Sequence, residues 1–242
     1  MEGVYDEYLQ RSLWAPSEPL HNWLTKRILS NFIRQTNLNP KSTNLLEIGS
    51  GTGRGALASS ILNFRSYTGV EPTKKLANFL RTKRNLRIIE EYLPSLTSIK
   101  DSEFDAVFSI HVLEHASSHK EAYAYIEEMK RITRKDGLIL IVSPDIRDYG
   151  SFFWDSDWSH GFPTTPNRIA QIMRDQQIKV VCEKTMHIGS LNLFSYLIGK
   201  FFNLILPTSI GDRITKKIFG RPLVSGAKIA LFWGLTFVIG QK

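Results

Sequence analysis

Cysteine, acidic charge and long apolar runs are all scarce in this chain. Cys182 is the one cysteine, so no internal disulfide can form and nothing in the fold depends on an oxidising compartment. It lies in the apolar run Val180-Val181-Cys182 and reads as a buried thiol, not a reactive one. The most apolar stretch, within residues 191–205, is shorter than the ~20 residues needed to span a bilayer. The first residues carry Glu2, Asp6 and Glu7 with no apolar stretch among them, so no secretory leader is read there and a cytoplasmic location is expected. Acidic residues number 23 against 31 Lys and Arg, for a net charge of +8. The imbalance is local. Residues 189–242 hold seven Lys or Arg against Asp212 alone, and the rest is close to neutral. No aromatic-basic module accompanies the excess, which argues against a nucleic-acid partner.

What the chain does have is an organising stretch, Leu45-Leu46-Glu47-Ile48-Gly49-Ser50-Gly51-Thr52-Gly53. An apolar run containing one acid reads as a buried strand, and the alternating glycines turn it into a helix starting near Arg54. Strand, glycine-rich turn and helix start make a nucleotide-type site at the carboxyl edge of a parallel sheet. The dinucleotide fingerprint G-x-G-x-x-G would need glycine at Arg54, whereas the third glycine here is Gly53. Glu47 points the same way. A pyrophosphate on a helix N-terminus is disfavoured by a neighbouring carboxylate, while a ligand carrying an ammonium and a sulfonium is favoured by it. Glu71 follows Gly49 by 22 residues, the distance at which an acid reaches ribose hydroxyls; it would serve either kind of nucleoside ligand.

The remaining elements predict an α/β fold: a Rossmann-like, doubly wound, mostly parallel sheet with an antiparallel last strand and a helical insertion before that strand. A helix after Pro16, capped by Ser17, presents Leu20, Trp23, Leu24, Ile28, Leu29, Phe32 and Ile33 at helical spacing. Strands are expected at 67–71, 86–90, 104–110, 138–142, 179–185 and 232–240, with Arg134-Lys135-Asp136-Gly137 closing the helix before the fifth. Tyr149 to Phe162 reads as an irregular aromatic loop. The domain reading is a helical cap over 1–36, a core of 37–187 with 229–242, and a helical insertion over 188–228.

Glu47-x-Gly49-x-Gly51-x-Gly53, together with Phe104-Asp105-Ala106-Val107-x-Ser109-x-x-Val112-Leu113-Glu114-His115, resembles motifs I and IV of the class I S-adenosylmethionine-dependent methyltransferases. The resemblance covers about Asn44 to Thr185 and the terminal strand. It implies S-adenosylmethionine as cofactor, with Glu47 helping to hold the methionine amino group. Gly49, Ser50, Gly51 and Gly53 would form the turn, and Glu71 and Pro72 the ribose side. Glu91 (or its neighbour Glu90) and Leu93 would meet the adenine, and Ile110 completes the contacts. The subtype it suggests acts on small molecules, sugars or lipid-linked glycans, in part because Asp157-Trp158-Ser159-His160 and Phe162-Pro163-Thr164-Thr165-Pro166 are similar to stretches in such enzymes. In this family the N-terminal helices also close over the cofactor, which makes Tyr5, Tyr8 or Trp14 candidates for the site.

The expected activity is methyl transfer to an acceptor oxygen. The cofactor is already electrophilic, so the protein mainly aligns the reactants, and a hydroxyl nucleophile also needs a general base. Imidazole suits that role, with His115 at the methyl pocket and His160 on the substrate loop. His111-Val112-Leu113-Glu114-His115 also fits the zinc string H-x-x-E-H. That string leaves a strand directly and has no second motif to complete a site, so no metal is expected. The competing readings are an NAD-dependent oxidoreductase and a non-catalytic adaptor with a cofactor-type fold. In the insertion, Leu191, Phe194, Ile198, Phe201, Phe202 and Ile205 share one helical face beside the basic excess. The pattern suits peripheral contact with an anionic membrane, or packing on the sheet or on a second subunit.

Overall fold

The computed structural model describes residues 18–187 and 234–242, with Arg213 and Lys217 between them. The aromatic lead with Tyr5, Tyr8 and Trp14, the Ser17 cap and, apart from Arg213 and Lys217, the insertion of residues 188–228 with its apolar, basic face lie outside the described residues.

Seven strands form one sheet in the order β3-β2-β1-β4-β5-β7-β6. They are β1 (Asn44–Ile48), β2 (Ser66–Val70), β3 (Arg87–Ile89), β4 (Phe104–Ile110), β5 (Thr133–Pro144), β6 (Lys179–Met186) and β7 (Leu235–Gln241). The first five pair in parallel, and β7 runs antiparallel between β5 and β6. The helices are α1 (Glu18–Thr36), α2 (Arg54–Ile61), α3 (Lys74–Arg84), α4 (His119–Ile132), α5 (Ile146–Tyr149), α6 (Phe152–Ser156) and α7 (Pro166–Asp175). The architecture is the doubly wound one expected. No helix among the described residues is long and apolar enough to cross a membrane.

The central strands β1, β4 and β7 and the second half of β5 are largely apolar because both faces of the sheet are covered. Successive residues divide between two cores, as a period of two demands. Leu46, Val107, Ile139, Ile141 and Val238 pack with α4 and α7. Leu45, Ala106, Phe108, Leu140, Phe237 and Ile239 pack with α1 through Leu24, Ile28, Leu29 and Phe32.

Four details differ from the expectations. Trp23 lies outside the apolar stripe, 43% exposed, with the Arg27 guanidinium 5.2 Å from its ring centre. Arg134-Lys135-Asp136-Gly137 falls within β5, because Thr133 already pairs with Phe104 across a register irregularity and Arg134 forms an ion pair with Asp105. The stretch after β5 holds two short helices, the first capped by Asp145, which accepts from the Arg147 amide. Cys182 sits on edge strand β6 half-buried, and burial pushes its thiol pKa up.

The core assignment can be tested by urea unfolding. Phe237→Ala, at a fully buried position between β5 and β6, should cost ~3–5 kcal/mol. Trp23→Ala should cost less than ~1 kcal/mol. Equal losses would contradict the placement of these aromatics.

Candidate functional site

The turn after β1 has the backbone its glycines predict. Gly49, Gly51 and Gly53 have φ of +78°, +51° and +85°, a region that carries little penalty only for glycine. Gly49 N and Ser50 N donate to Val70 O at 2.9 and 3.0 Å, which ties the turn to the end of β2. Just beyond that end lies buried Glu71. Its Oε2 accepts from Gly51 N at 2.8 Å and its Oε1 from Thr73 N at 3.0 Å. Burial raises the Glu71 pKa, and the two backbone donors offset part of that rise.

Glu47 is buried beneath the turn, where the Tyr67 hydroxyl donates to its Oε2. Removal from water pushes its pKa up to about 8, with the Tyr67 bond opposing the rise. A Cβ at Gly55, in the first turn of α2, would lie 2.3 Å from its carboxylate oxygens, so this helix can approach only because it is bare there.

The loop after β4 supplies the facing wall. His111-Val112-Leu113-Glu114-His115 forms one 3-10 turn over Leu113–His115, not the regular helix a zinc string requires. Glu114 is completely buried. Its Oε1 meets His111 Nδ1 at 3.1 Å and its Oε2 accepts from Ser143 Oγ at 2.9 Å. Burial alone would raise its pKa, but the bond from His111 and the nearby His115 hold it below the usual carboxylate value. His115 Nδ1 lies 2.9 Å from Ser159 Oγ, and Ser159 Oγ donates to Asp157 Oδ1 at 2.6 Å. His160 Nδ1 donates to Phe153 O at 2.5 Å. The two imidazoles meet edge-on, 5.0 Å between centres.

Turn and facing wall border one cavity of ≈ 550 Å³. Of the residues singled out from the sequence, Glu47, Gly49, Ser50, Gly51, Glu71, Pro72, Glu91, Leu93, Ile110, His115 and His160 all line it. Gly53 does not; it caps α2, and a Cβ there would meet Leu80 at 2.8 Å. Glu90 is turned away into an ion pair with Arg81. Glu91 is already engaged by Thr97 Oγ1 and Ser98 N at 3.0 and 3.1 Å. Leu24, Thr25 and Ile28 of α1 close one side. Two participants escaped the sequence reading: Tyr67 as the partner of Glu47, and Glu114 as the carboxylate under the histidines. Both contacts join residues from different strands or loops, which spacing alone does not reveal.

The cavity suits a nucleoside ligand with an amino-acid tail. The Thr52 hydroxyl on its wall is buried with no partner among the described residues. A Cβ at Gly51 would meet no atom of the described residues within 4 Å, which leaves room for a ligand against the main chain on that side of the turn. Residues 46–141 match the family model of the methyltransferase domain. No curated protein matches the chain in sequence. Among solved structures, a chain of the complex between the Haloferax volcanii Trm112 methyltransferase activator and a methyltransferase superposes with a TM-score of 0.66 at 13% identity, over 97% of both chains. A SAM-dependent methyltransferase from Archaeoglobus fulgidus gives 0.60 at 16% identity, over 93% of this chain and 97% of the other. One from Aquifex aeolicus gives 0.59 at 13%, over 97% of both. At such identities the superpositions speak for the fold, and the domain match speaks for the chemistry. The oxidoreductase and adaptor readings are set aside. With the motif turn, the buried acid and the sheet order in place, residues 46–141 belong to a methyltransferase domain of the class I, S-adenosylmethionine-dependent type, and S-adenosylmethionine is its cofactor.

Proposed function

We propose that the enzyme methylates a hydroxyl oxygen of a small-molecule, sugar or lipid-linked glycan acceptor. The observation that carries this reading is the shared cavity: the glycine turn with Glu71 lines one part of it, and His115, His160 and Asp157 line another. Bound there, S-adenosylmethionine supplies a methyl group already activated on a sulfonium sulfur. The protein has only to hold and align. In this reading Glu71 takes the ribose hydroxyls, Glu47 the amino group, and Glu91 with Leu93 the adenine. His115 and His160 handle the acceptor hydroxyl. Trp158 and Tyr92, 76% and 58% exposed, also border the cavity. Flat aromatic faces beside polar groups suit a ring with apolar faces and a hydroxyl rim.

The acceptor reading is tested by following label from the cofactor methyl into a panel of sugars, glycans and phenols, against matched amines. Methylation of amines alone would overturn it. His115→Ala and His160→Ala should each lower kcat by ~10²–10⁴ with the affinity for S-adenosylhomocysteine near wild type. Normal turnover in both variants would remove the pair from the chemistry.

The Glu47 assignment makes a separate prediction about protons. With a pKa of about 8, this carboxyl is mostly protonated near neutrality, and a ligand ammonium beside it would drive the proton off. Calorimetry of S-adenosylhomocysteine at about pH 7, in buffers of differing ionisation enthalpy, should show close to one proton released. Affinity should rise with pH until about 8 and then level. In the ligand-free protein the raised carboxyl has the opposite effect on folding. Its contribution is most favourable below the ordinary value of 4.5 and is lost as pH climbs to about 8. Glu47→Gln should abolish both dependences. Proton release that persists in that variant would place the amino group elsewhere.

A further inference from the structure

Glu114, His115 and His160 come from two separate loops, yet one ligand atom of each lies within 4.8 Å of the others. All three line the cavity. This is not the H-x-x-E-H string: His111 is not in the group, and the second histidine arrives from the loop beyond β5.

The proton positions follow from the partners. His160 Nδ1 faces the Phe153 carbonyl, which can only accept, so this nitrogen carries the hydrogen and Nε2 keeps the lone pair. For His115 the argument takes one more step. Ser159 has a single hydroxyl proton, and that proton is directed to Asp157 Oδ1. The lone pairs of Ser159 Oγ are what remain for His115 Nδ1, which must therefore donate. In its neutral form each ring is thus held as the Nδ1–H tautomer, with a bare Nε2 that has no hydrogen-bond partner among the described residues. A histidine whose Nδ1–H is anchored to a carbonyl or a carboxylate-linked group, with Nε2 left as a donor atom, is arranged as metal-ligating histidines are. The third group is a carboxylate held without exposure by Ser143 and His111. Each of its oxygens can accept more than one bond.

We infer that Glu114, His115 and His160 form a divalent-cation site at the acceptor end of the cavity. Two imidazoles and one carboxylate with open positions favour a first-row transition ion over Ca²⁺ or Mg²⁺. Such an ion, with bonds of about 2.1 Å, keeps its ligand atoms roughly 3–4 Å apart, so the widest pair of the triad needs to contract by up to about 2 Å. The open positions face the cavity and suit an acceptor offering two neighbouring oxygens. The site stands on side-chain geometry alone and uses the O-methylation reading only for its role. When the ion is bound it takes the Nε2 lone pairs, and the histidines then act through it. Asp157 is a positioning residue, acting through Ser159 on His115.

The test reads cation binding, not turnover. Tag-free, full-length protein stripped with chelator is titrated with Mn²⁺, monitored by the electron paramagnetic resonance of the free ion, and with Zn²⁺ by calorimetry. One equivalent of each should bind. Glu114→Gln and His160→Ala should weaken binding by at least about tenfold, and Asp157→Asn by ~10–100-fold, with circular dichroism unchanged. Pulsed resonance of wild-type protein loaded with Mn²⁺ should show two imidazole nitrogen couplings, a readout that does not depend on any variant folding. Absence of a stoichiometric site, absence of those couplings, or equal affinity in the folded variants would overturn the site. Each of these results leaves methyl transfer to a hydroxyl standing.

Discussion

One acid determines what may surround it. Glu47 occupies a position on β1 that shares a face with Leu45, where the sheet otherwise buries apolar side chains. Burying a carboxylate is costly unless it is paired or neutralised. Here the Tyr67 hydroxyl donates to it, and the environment favours the protonated form. Space is arranged to the same end. Gly55 leaves room for the carboxylate, and Gly69 leaves room for Ser50, since a Cβ at Gly69 would fall 2.2 Å from Ser50 Oγ. Apolar packing alone would fill such a pocket more cheaply. In the proposed reading a cation enters the cavity and restores the charge, which is the property that separates a sulfonium amino-acid ligand from a pyrophosphate.

Much of this was legible in the sequence, and for identifiable reasons. A strand buried on both faces must be apolar along its length, so β1, β4 and β5 are visible as apolar runs. Positive φ admits glycine with little strain, so the turn is written in its residues. Glu71 is readable because β2 ends a fixed distance after the turn. The Tyr67 contact is different. Leu45 pairs with Tyr67 in the β1–β2 register, which puts Tyr67 one diagonal step from Glu47 on the same face. Register is a property of two strands, and neither strand alone reveals it. The short helices α5 and α6 are too brief for a periodic pattern to establish itself, and their composition resembles a loop. Glu114 was hidden for a related reason. In sequence it belongs with His111 and His115, while its burial comes from β5 through Ser143.

The two loops at the acceptor end are joined by backbone. Gly161 N and Phe162 N both donate to Glu114 O, at 2.9 and 3.0 Å. A Cβ at Gly161 would stand 2.6 Å from Ala116 O, so the chains approach as closely as only glycine allows. Phe162 is buried in the core formed with α4 and α7. The loop carrying Asp157, Ser159 and His160 is therefore fastened to the loop carrying Glu114 and His115. The atoms that fix the two imidazole tautomers, Phe153 O and Ser159 Oγ, belong to helix α6 and to the loop that follows it. The two strand ends are thus joined where the proposed group transfer needs its reactants aligned.

This division of labour decides where specificity can reside. β1 is flanked by β2 on one side and β4 on the other, so the winding of the sheet reverses there, and the crevice at that reversal is where an open α/β sheet takes its ligand. The cofactor end uses backbone amides and two acids that follow from the strand ends themselves. The fold that supplies those strand ends superposes on methyltransferases at 13–16% identity. The acceptor end is made of side chains on the loops after β4 and β5. Trp158, Asp157 and His160 can change without disturbing a strand, whereas Glu47 or Gly55 cannot. In the proposed reading an acceptor is thus read by loop side chains that the sheet supports but does not specify, and a change of acceptor within this fold would alter residues 154–160 before it altered the turn at Gly49.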